Sequence, residues 1–414
     1  MEHKNRVYSL SKNKIKILLL EGIHENSMNF LKESDYTNIE YLITSLNKEE
    51  LIQKIKNVHM IGIRSRTNIT KDILQYAENL IAIGCFSIGT NQVDLHTAKL
   101  KGIPVFNAPF SNTRSVAELV ISECIMLLRR IPEKNAAAHQ GKWMKEANSS
   151  FEIRGKNIGI IGYGHIGSQV SILAENLGMN IYYYDIEKKL SLGNAKSCSS
   201  LKELLKISDV VTLHVPETEL TKNMITKTEL SLMKKGACII NASRGTIINI
   251  EHLSESLKSK HLNGAAIDVF PEEPTSVNEL FNSPLQHLPN VILTPHIGGS
   301  TIEAQANIAV EVSEKLINYS NIGATLGATN FVEISLPPNI NKKRYLHIHE
   351  NKPGVMNKIT SVFTSRKINI ASQYLQTDPD IGYVIIDIDG KQKSGDILKE
   401  LKAIPKTIKA RMLF

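Results

Sequence analysis

Tryptophan occurs once in this chain, at Trp143, and cysteine only four times in 414 residues, at Cys85, Cys124, Cys198 and Cys238. The cysteines lie far apart, with no Cys-x-x-Cys pair and no histidine at ligand spacing. That argues against a zinc site and, at this length, against a disulfide framework. Each sits in or beside an apolar run, where a free thiol behaves as a small hydrophobe. Long apolar runs are missing too, and no uninterrupted stretch could span a bilayer. The segment Ile15–Leu20 follows a basic start but is broken by Glu21 and is too short for a signal core. A cytoplasmic protein without membrane contact is expected. Although the net charge is +8 and the pI near 9.0, the lysines are scattered and no basic run interleaves with aromatics. A nucleic-acid partner is therefore not expected.

What is present is an ordinary globular balance, 42% hydrophobic and 22% charged, in a chain long enough for two or three domains. The most informative stretch is Ile158-Gly-Ile-Ile-Gly162-Tyr-Gly164-His-Ile-Gly167. Ile158 to Ile161 reads as a buried parallel strand, and a helical pattern runs on to Leu177. Gly162 permits the tight turn, Gly164 lets backbone approach a pyrophosphate, and Gly167 lets the helix pack on the strand. The amides that open the helix would face the phosphates. A second apolar run ends in Asp185, eighteen residues beyond Gly167. A carboxylate there accepts from a ribose 2′-hydroxyl and repels a 2′-phosphate, which selects NAD over NADP.

From residue 15 onward, apolar strands at Ile15–Leu20, Ile39–Ile43, Val58–Ile63 and Leu80–Gly84 alternate with helices such as Lys48–Ile55 and Lys71–Ala77. The pattern implies a parallel α/β unit. It lacks the glycine fingerprint and is separate from the nucleotide domain. Val105 to Pro109 reads as a crossing point. Ser115 and Glu118 then form a capping box for a helix to Leu128, and a loop over Ala136–Ser150 follows. Strands at 158–161, Ile181–Tyr184, Val210–Leu213, Ala237–Ile240, Gly264–Ile267 and Val291–Leu293 make a six-strand doubly wound sheet. Between them lie helices at Ser199–Lys206, Thr226–Met233 and Glu251–Ser259. Ser300 and Glu303 cap another long helix to Asn318. Two long helices bracketing one nucleotide domain imply that the first unit is discontinuous. After a linker at Pro337–Lys343, the tail reads βαββαβ, a ferredoxin-like module. Its elements are strands Tyr345–His349, Ile370–Leu375, Tyr383–Ile388 and Thr407–Phe414, with helices Val355–Ser365 and Asp396–Lys402.

Three polar residues follow successive strands of the doubly wound sheet, at the carboxyl ends where ligands sit. They are Arg244, Glu273 and His296. Each alone has an ordinary reading as a turn or surface residue, but together they suffice to dehydrogenate a 2-hydroxy acid. Arg244 would fork the substrate carboxylate and polarise the carbonyl oxygen. His296 would take the hydroxyl proton, and Glu273 would orient the ring and stabilise its charged form.

These residues carry a resemblance. Ile63-Arg-Ser-Arg-Thr67, Asn107-Ala-Pro-Phe-Ser-Asn-Thr-Arg-Ser115, the 162–167 fingerprint, Asn241-Ala-Ser-Arg-Gly-Thr246, Gly264-Ala-Ala-Ile-Asp-Val-Phe-Pro271 and Thr294-Pro-His-Ile-Gly-Gly-Ser300 resemble the D-isomer-specific 2-hydroxyacid dehydrogenases. The likeness spans residues 12–414 and is nearest to the branch that oxidises 3-phosphoglycerate and carries a C-terminal ACT domain. It implies a Rossmann NAD-binding domain over 109–298, inserted in a flavodoxin-like substrate-binding domain over 1–108 and 299–337. The ferredoxin-like ACT domain over 343–414 would be regulatory. The resemblance gives Arg244, Glu273 and His296 the catalytic roles. To NAD it gives Gly162, Gly164, His165, Ile166, Gly167, Asp185, Ala242, Ser243, Arg244, Asp268, His296, Ile297, Gly298 and Gly299. Arg64, Ser65 and Arg66 make an oxyanion loop for the substrate, and Lys145 would add charge from a neighbouring subunit. His349, Asn351 and Asn369 match an L-serine effector loop, and the family implies a homotetramer; the cysteine and histidine spacing gives no reason to expect a metal.

Ile248-Asn249 departs from the family's usual Val-Asp. No catalytic loss is expected, since Asn249 would cap the next helix. The activity implied is NAD-dependent oxidation of (2R)-3-phosphoglycerate, the entry step of serine biosynthesis, with reduction of 2-oxoglutarate as a related activity. The alternatives are a reductase for another short hydroxy acid such as hydroxypyruvate, and a NAD-sensing corepressor-like binding protein.

Overall fold

The structure, a computed structural model, describes residues 10–274, 279–337, 342–389 and 397–413. Linker residues Pro338 to Asn341, Asp396 at the start of an expected helix, and Phe414 at the end of an expected strand lie outside the described residues. The chain forms two compact units, Asn112–Ala304 and Met1–Ser111 with Gln305–Phe414.

The first unit opens with five parallel strands, β1 Ile17–Leu19, β2 Ile39–Tyr41, β3 Met60–Ile63, β4 Ala82–Cys85 and β5 Val105–Phe106. Their order, β2-β1-β3-β4-β5, is the flavodoxin-like one. Every residue of β1, β3 and β4 is buried, as apolar runs covered on both faces require. The Lys48–Ile55 helix has the expected bounds, and Asn47 and Glu50 close a capping box at its start. The helix expected to Ala77 ends at Leu74. Tyr76 and Ala77 donate to carbonyls three residues back, so the chain tightens into turns.

The second unit holds β6 Asn157–Ile161, β7 Asn180–Tyr184, β8 Lys196–Ser197, β9 Val210–Leu213, β10 Cys238–Asn241, β11 Gly264–Ile267 and β12 Val291–Leu293. The parallel order is β12-β11-β10-β9-β6-β7-β8. The sheet has seven strands, one more than expected. β8 is two exposed polar residues and carries no hydrophobic signal. Two apolar clusters cover the sheet's faces, one built around helices Thr113–Arg129 and His165–Asn176, the other around Leu201–Ile207, Lys227–Leu232 and Ile250–Lys258.

Both long-helix caps differ from expectation. The first helix starts at Thr113, with Asn112 at its N-cap and no side-chain cap. Ser115 lies inside the helix and bonds Thr301 at 2.7 Å, while Glu118 pairs with Arg114 one turn earlier. The cap of the later helix, Ile302–Ile322, is Thr301 rather than Ser300, its hydroxyl accepting from Ala304 N–H. Residues expected to begin a loop at Ala136 remain helical to His139, in an Ile131–His139 helix with proline in its first turn. Alanines 136–138 favour that continuation.

In the tail, β13 Lys342–Glu350, β14 Ile370–Thr377, β15 Ile381–Asp389 and β16 Thr407–Met412 form an antiparallel sheet ordered β14-β15-β13-β16. Helices Val355–Ser365 and Ile397–Ala403 cover one face through Tyr345, Val384 and Ile386. On the other face Leu346, Ile348, Tyr383 and Ile385 join the cluster that holds Ile17, Leu19, Val312 and Leu316. Period-two alternation thus gives the module two dry faces. Arg344, 1% exposed, forms a bidentate pair with Asp387 at 2.7 and 2.8 Å and also donates to the Ile322 and Pro337 carbonyls. Lys99 pairs with Asp378 and Asp380 at the β14–β15 turn. Among the described residues no helix is long and apolar enough to cross a membrane.

Candidate active site

The fingerprint folds as its three glycines require. Gly162 has φ 89°, and a Cβ there would lie 2.5 Å from the His214 carbonyl oxygen. A Cβ on Gly167 would lie 2.2 Å from the Gly162 carbonyl oxygen, so helix and turn can touch only because residue 167 is glycine. At Gly164 a Cβ would meet nothing within 4 Å. That glycine leaves space, and it stands at the N-cap of the His165–Asn176 helix, which no side chain caps. Asp185 follows β7 and accepts from Tyr163 N–H at 2.8 Å and Glu187 N–H at 2.9 Å, which fixes the acid beside the turn. His165 is exposed, and Ile166 is half-buried behind it. An uncapped helix start, an open Gly164 and a fixed acid fit the pyrophosphate and ribose of a dinucleotide.

The end of β10 turns sharply. Asn241 accepts from Ser243 N–H and Oγ and donates to the Arg244 carbonyl, locking Ala242 to Arg244 into one shape. The Arg244 guanidinium is half-buried and donates to the Ser243 carbonyl at 2.7 Å. A Cβ on Gly245 would fall 2.0 Å from the Phe270 backbone, so the loop bearing Arg244 lies directly against the loop bearing Glu273. Glu273 accepts from Phe270 N–H, and its carboxylate meets His296 Nδ1 at 2.9 and 3.1 Å. His296 is held at φ 54°, a strained conformation for a non-glycine residue. Asp268, 1% exposed, supports it from below. Its carboxylate accepts from Thr294 Oγ1, Ile297 N–H and Gly298 N–H, and its carbonyl accepts from His296 N–H. Gly299 passes against Asn112, where a Cβ would be 2.6 Å from Nδ2. Asp268 thus acts as the brace of the 294–298 turn.

The electrostatics follow from this contact. The Glu273 hydrogen bond and charge raise the His296 pKa above the ordinary imidazole value, outweighing its burial. For Glu273 burial pushes upward, but the His296 bond and charge, the Phe270 N–H and the Arg244 charge outweigh it and the pKa falls. The second imidazole nitrogen remains to exchange a proton with a ligand. Arg244, Glu273 and His296 therefore converge on one site, a cation beside a carboxylate–imidazole pair.

In the first unit, Arg64, Ser65 and Arg66 follow β3. Ser65 and Arg66 are exposed and Arg64 is half-buried. Burial lowers the Arg64 pKa, with Glu21 opposing. Guanidinium still stays charged. Lys145 and the 87%-exposed Trp143 share an exposed loop. In the tail, His349 is buried, its ring pressed on Gly382 and 3.4 Å from His347. Asn351 donates to the Asp378 carbonyl at 2.7 Å, and Asn369 is exposed just before β14. Asn249 caps the Ile250–Lys258 helix by accepting from His252 N–H, as expected.

Two residues escaped the sequence reading. His214 follows β9 against Gly162, and burial pushes its pKa down to about 3. A polar residue at a strand's carboxyl end was the available signal. Glu123 is 1% exposed with both carboxylate oxygens unpartnered among the described residues. Burial, then the Asp268 charge, push its pKa up to about 8. Its place on the apolar stripe with Val116, Val120, Cys124 and Leu127 could have marked it.

Residues 121–298 match the D-isomer specific 2-hydroxyacid dehydrogenase NAD binding domain, and residues 346–409 the AHAS small subunit-like ACT domain. The D-3-phosphoglycerate dehydrogenase of Haemophilus influenzae is 56% identical over 98% of this chain and 99% of its own length. That of Escherichia coli K12 is 57% identical, with 98% of this chain and 99% of its own length covered. Among solved structures, the D-lactate dehydrogenase of Aquifex aeolicus complexed with NAD and lactic acid is 26% identical at a TM-score of 0.65. The match covers 73% of this chain and 95% of that one.

Proposed function

The chain belongs to the D-3-phosphoglycerate dehydrogenases of the D-isomer-specific 2-hydroxyacid dehydrogenase family, and on that premise we propose how its own residues carry out the oxidation of (2R)-3-phosphoglycerate to 3-phosphooxypyruvate, the first step of serine biosynthesis. NAD+ supplies the hydride acceptor when bound. Gly162 to Gly167 would hold its pyrophosphate and Asp185 its ribose. Ala242 to Arg244 and the turn from His296 to Gly299, braced by Asp268, would line the rest of the cofactor site.

The observation that carries the mechanism is the Glu273–His296 contact beside Arg244. Neutral His296 accepts the C2 hydroxyl proton through Nε2, and Glu273 stabilises the imidazolium that forms. Arg244 grips the substrate carboxylate and polarises the oxygen at C2 as it becomes a carbonyl. In the reverse direction His296 returns the proton, so reduction of 2-oxoglutarate, another substrate with two anionic ends, uses the same groups. Arg64, Ser65 and Arg66 are assigned the substrate phosphate, and Lys145 a supporting charge from a neighbouring subunit. We further assign L-serine as effector, recognised by Asn351 and Asn369 together with His349. The ACT match and the exposure of both asparagines support this. A homotetramer is the proposed assembly and the cytoplasm the proposed compartment, to which four free, buried cysteines are suited.

Spectrophotometric NADH formation from 3-phosphoglycerate, with and without L-serine, tests the reading directly. The Arg64→Ala variant should raise the KM for 3-phosphoglycerate strongly while leaving NAD+ affinity in place. Unaltered substrate kinetics in that variant would remove the phosphate assignment.

A further inference from the structure

The geometry points to Glu21 as a positioning residue for substrate recognition, one that sets the shape of the Arg64–Arg66 loop without touching the ligand. This inference rests on the assignment of that loop to the substrate phosphate. Glu21 lies in the turn two residues beyond β1 and is only 6% exposed. Its Oε1 accepts from Arg64 N–H at 3.1 Å and Thr67 N–H at 2.9 Å, and its Oε2 accepts from Arg66 N–H at 2.9 Å. One buried carboxylate thus engages three backbone amides of a four-residue stretch. From the other side Gln92 Nε2 donates to the Arg64 carbonyl at 2.7 Å and to Ser87 Oγ at 3.1 Å.

The backbone at Glu21 is committed to this task. Glu21 has φ 63° and Gly22 φ 62°, two successive left-handed residues. The first is a non-glycine, which adopts that region at a cost. The conformation is tied down by Glu21 N–H to the Thr44 carbonyl and Gly22 N–H to the Leu42 carbonyl. Two consequences follow. An oxyanion approaching the loop meets guanidinium side chains rather than the amides of 64, 66 and 67, because Glu21 already occupies those amides. And two cations that repel one another are held in one arrangement by an acid beneath them, so less ordering remains to be done when the anion binds.

Glutamine cannot replace this group. It offers one acceptor oxygen to three donors, and its amide nitrogen would confront a loop N–H, donor against donor. The test uses the full-length protein with 3-phosphoglycerate and NAD+ in steady state. Glu21→Gln should raise the KM for 3-phosphoglycerate about tenfold or more, with kcat and the KM for NAD+ within about threefold. In a background that carries both Arg64→Ala and Arg66→Ala the same substitution should change KM by less than about twofold, since it acts through those two side chains. Gln92→Ala, which removes only the opposite brace, should raise the substrate KM about threefold with kcat retained.

The outcomes separate cleanly. If Arg64→Ala raises KM but Glu21→Gln does not, the loop assignment stands and the positioning role is lost. If Arg64→Ala leaves KM unchanged, the underlying assignment fails. Equal effects of Glu21→Gln in both backgrounds would reveal a general structural role and overturn the inference. Should Glu21→Gln show no cooperative thermal transition, Glu21→Asp and Gln92→Ala decide the matter, and an unaltered substrate KM in both refutes it.

Discussion

Replacing Glu273 by glutamine isolates the charge in the catalytic pair while keeping its shape. Glutamine can still accept from His296 Nδ1–H, so the ring orientation is retained. What is lost is a charge-assisted bond, at 2.9 and 3.1 Å in this structure, that strengthens as the ring becomes imidazolium. A hydrogen bond to a charged group contributes about 1.5–3 kcal/mol. Because the two side chains are 36% and 53% exposed, solvent screening puts the effect at the low end. At about 1.4 kcal/mol per tenfold, kcat for oxidation should fall roughly ten- to thirtyfold on the pH plateau. The pH profile must move too. Oxidation needs neutral His296, so activity falls as pH drops through the histidine's folded-state pKa. Glu273 raises that pKa. The acid limb of the kcat profile should therefore lie above the ordinary imidazole range in the parent enzyme and shift to lower pH in Glu273→Gln. A variant with lower kcat and an unmoved acid limb would refute the assignment of that limb to His296 and of its elevation to Glu273.

Removal of the base itself in His296→Ala should lower kcat at least about a hundredfold with the protein still folded, and near-normal turnover would exclude His296 from proton transfer. For Gly167→Ala, whose Cβ would sit 2.2 Å from the Gly162 carbonyl oxygen, NAD+ binding by calorimetry should be lost along with several degrees of Tm, and intact binding would contradict the packing described. Breaking the buried Arg344–Asp387 pair with Arg344→Met leaves an uncompensated carboxylate and should cost about 3–5 kcal/mol in urea unfolding; a loss under about 1 kcal/mol would show that the pair is dispensable. Glu123 has a folded pKa pushed up to about 8, so its ionisation destabilises the fold increasingly as pH climbs from the unfolded carboxyl value toward 8. Glu123→Gln should accordingly gain Tm over the parent, with a gap that widens from pH 5 to pH 8, and a constant gap would show that Glu123 is not held neutral.

Much of this was legible in the sequence because local physics determined it. The glycine triplet, the β-branched run before it and Asp185 after it could fold in only one useful way. Asn249 caps its helix from its own chemistry and spacing. The apolar runs gave β9 and β11 to the residue, since a strand buried on both faces declares itself by composition, and the half-buried edge strand β12 matched as well. Polar residues just past strand ends marked Arg244, Glu273 and His296, because ligands of open α/β sheets collect there. Tertiary structure decided what composition could not express. β8 exists because β7 offers an open edge to two polar residues. Ser115 and Ser300 match a capping motif, yet Asn112 and Thr301 occupy the helix starts, and the Ser115 hydroxyl is instead bonded to that of Thr301, 186 residues away. The second dry face of the C-terminal sheet arises only when Leu346 and Ile348 meet the core around Val312. The acid under the Arg64–Arg66 loop was invisible for the same reason. Glu21 and Arg64 are 43 residues apart, and only the adjacency of β1 and β3 brings that carboxylate beneath those amides.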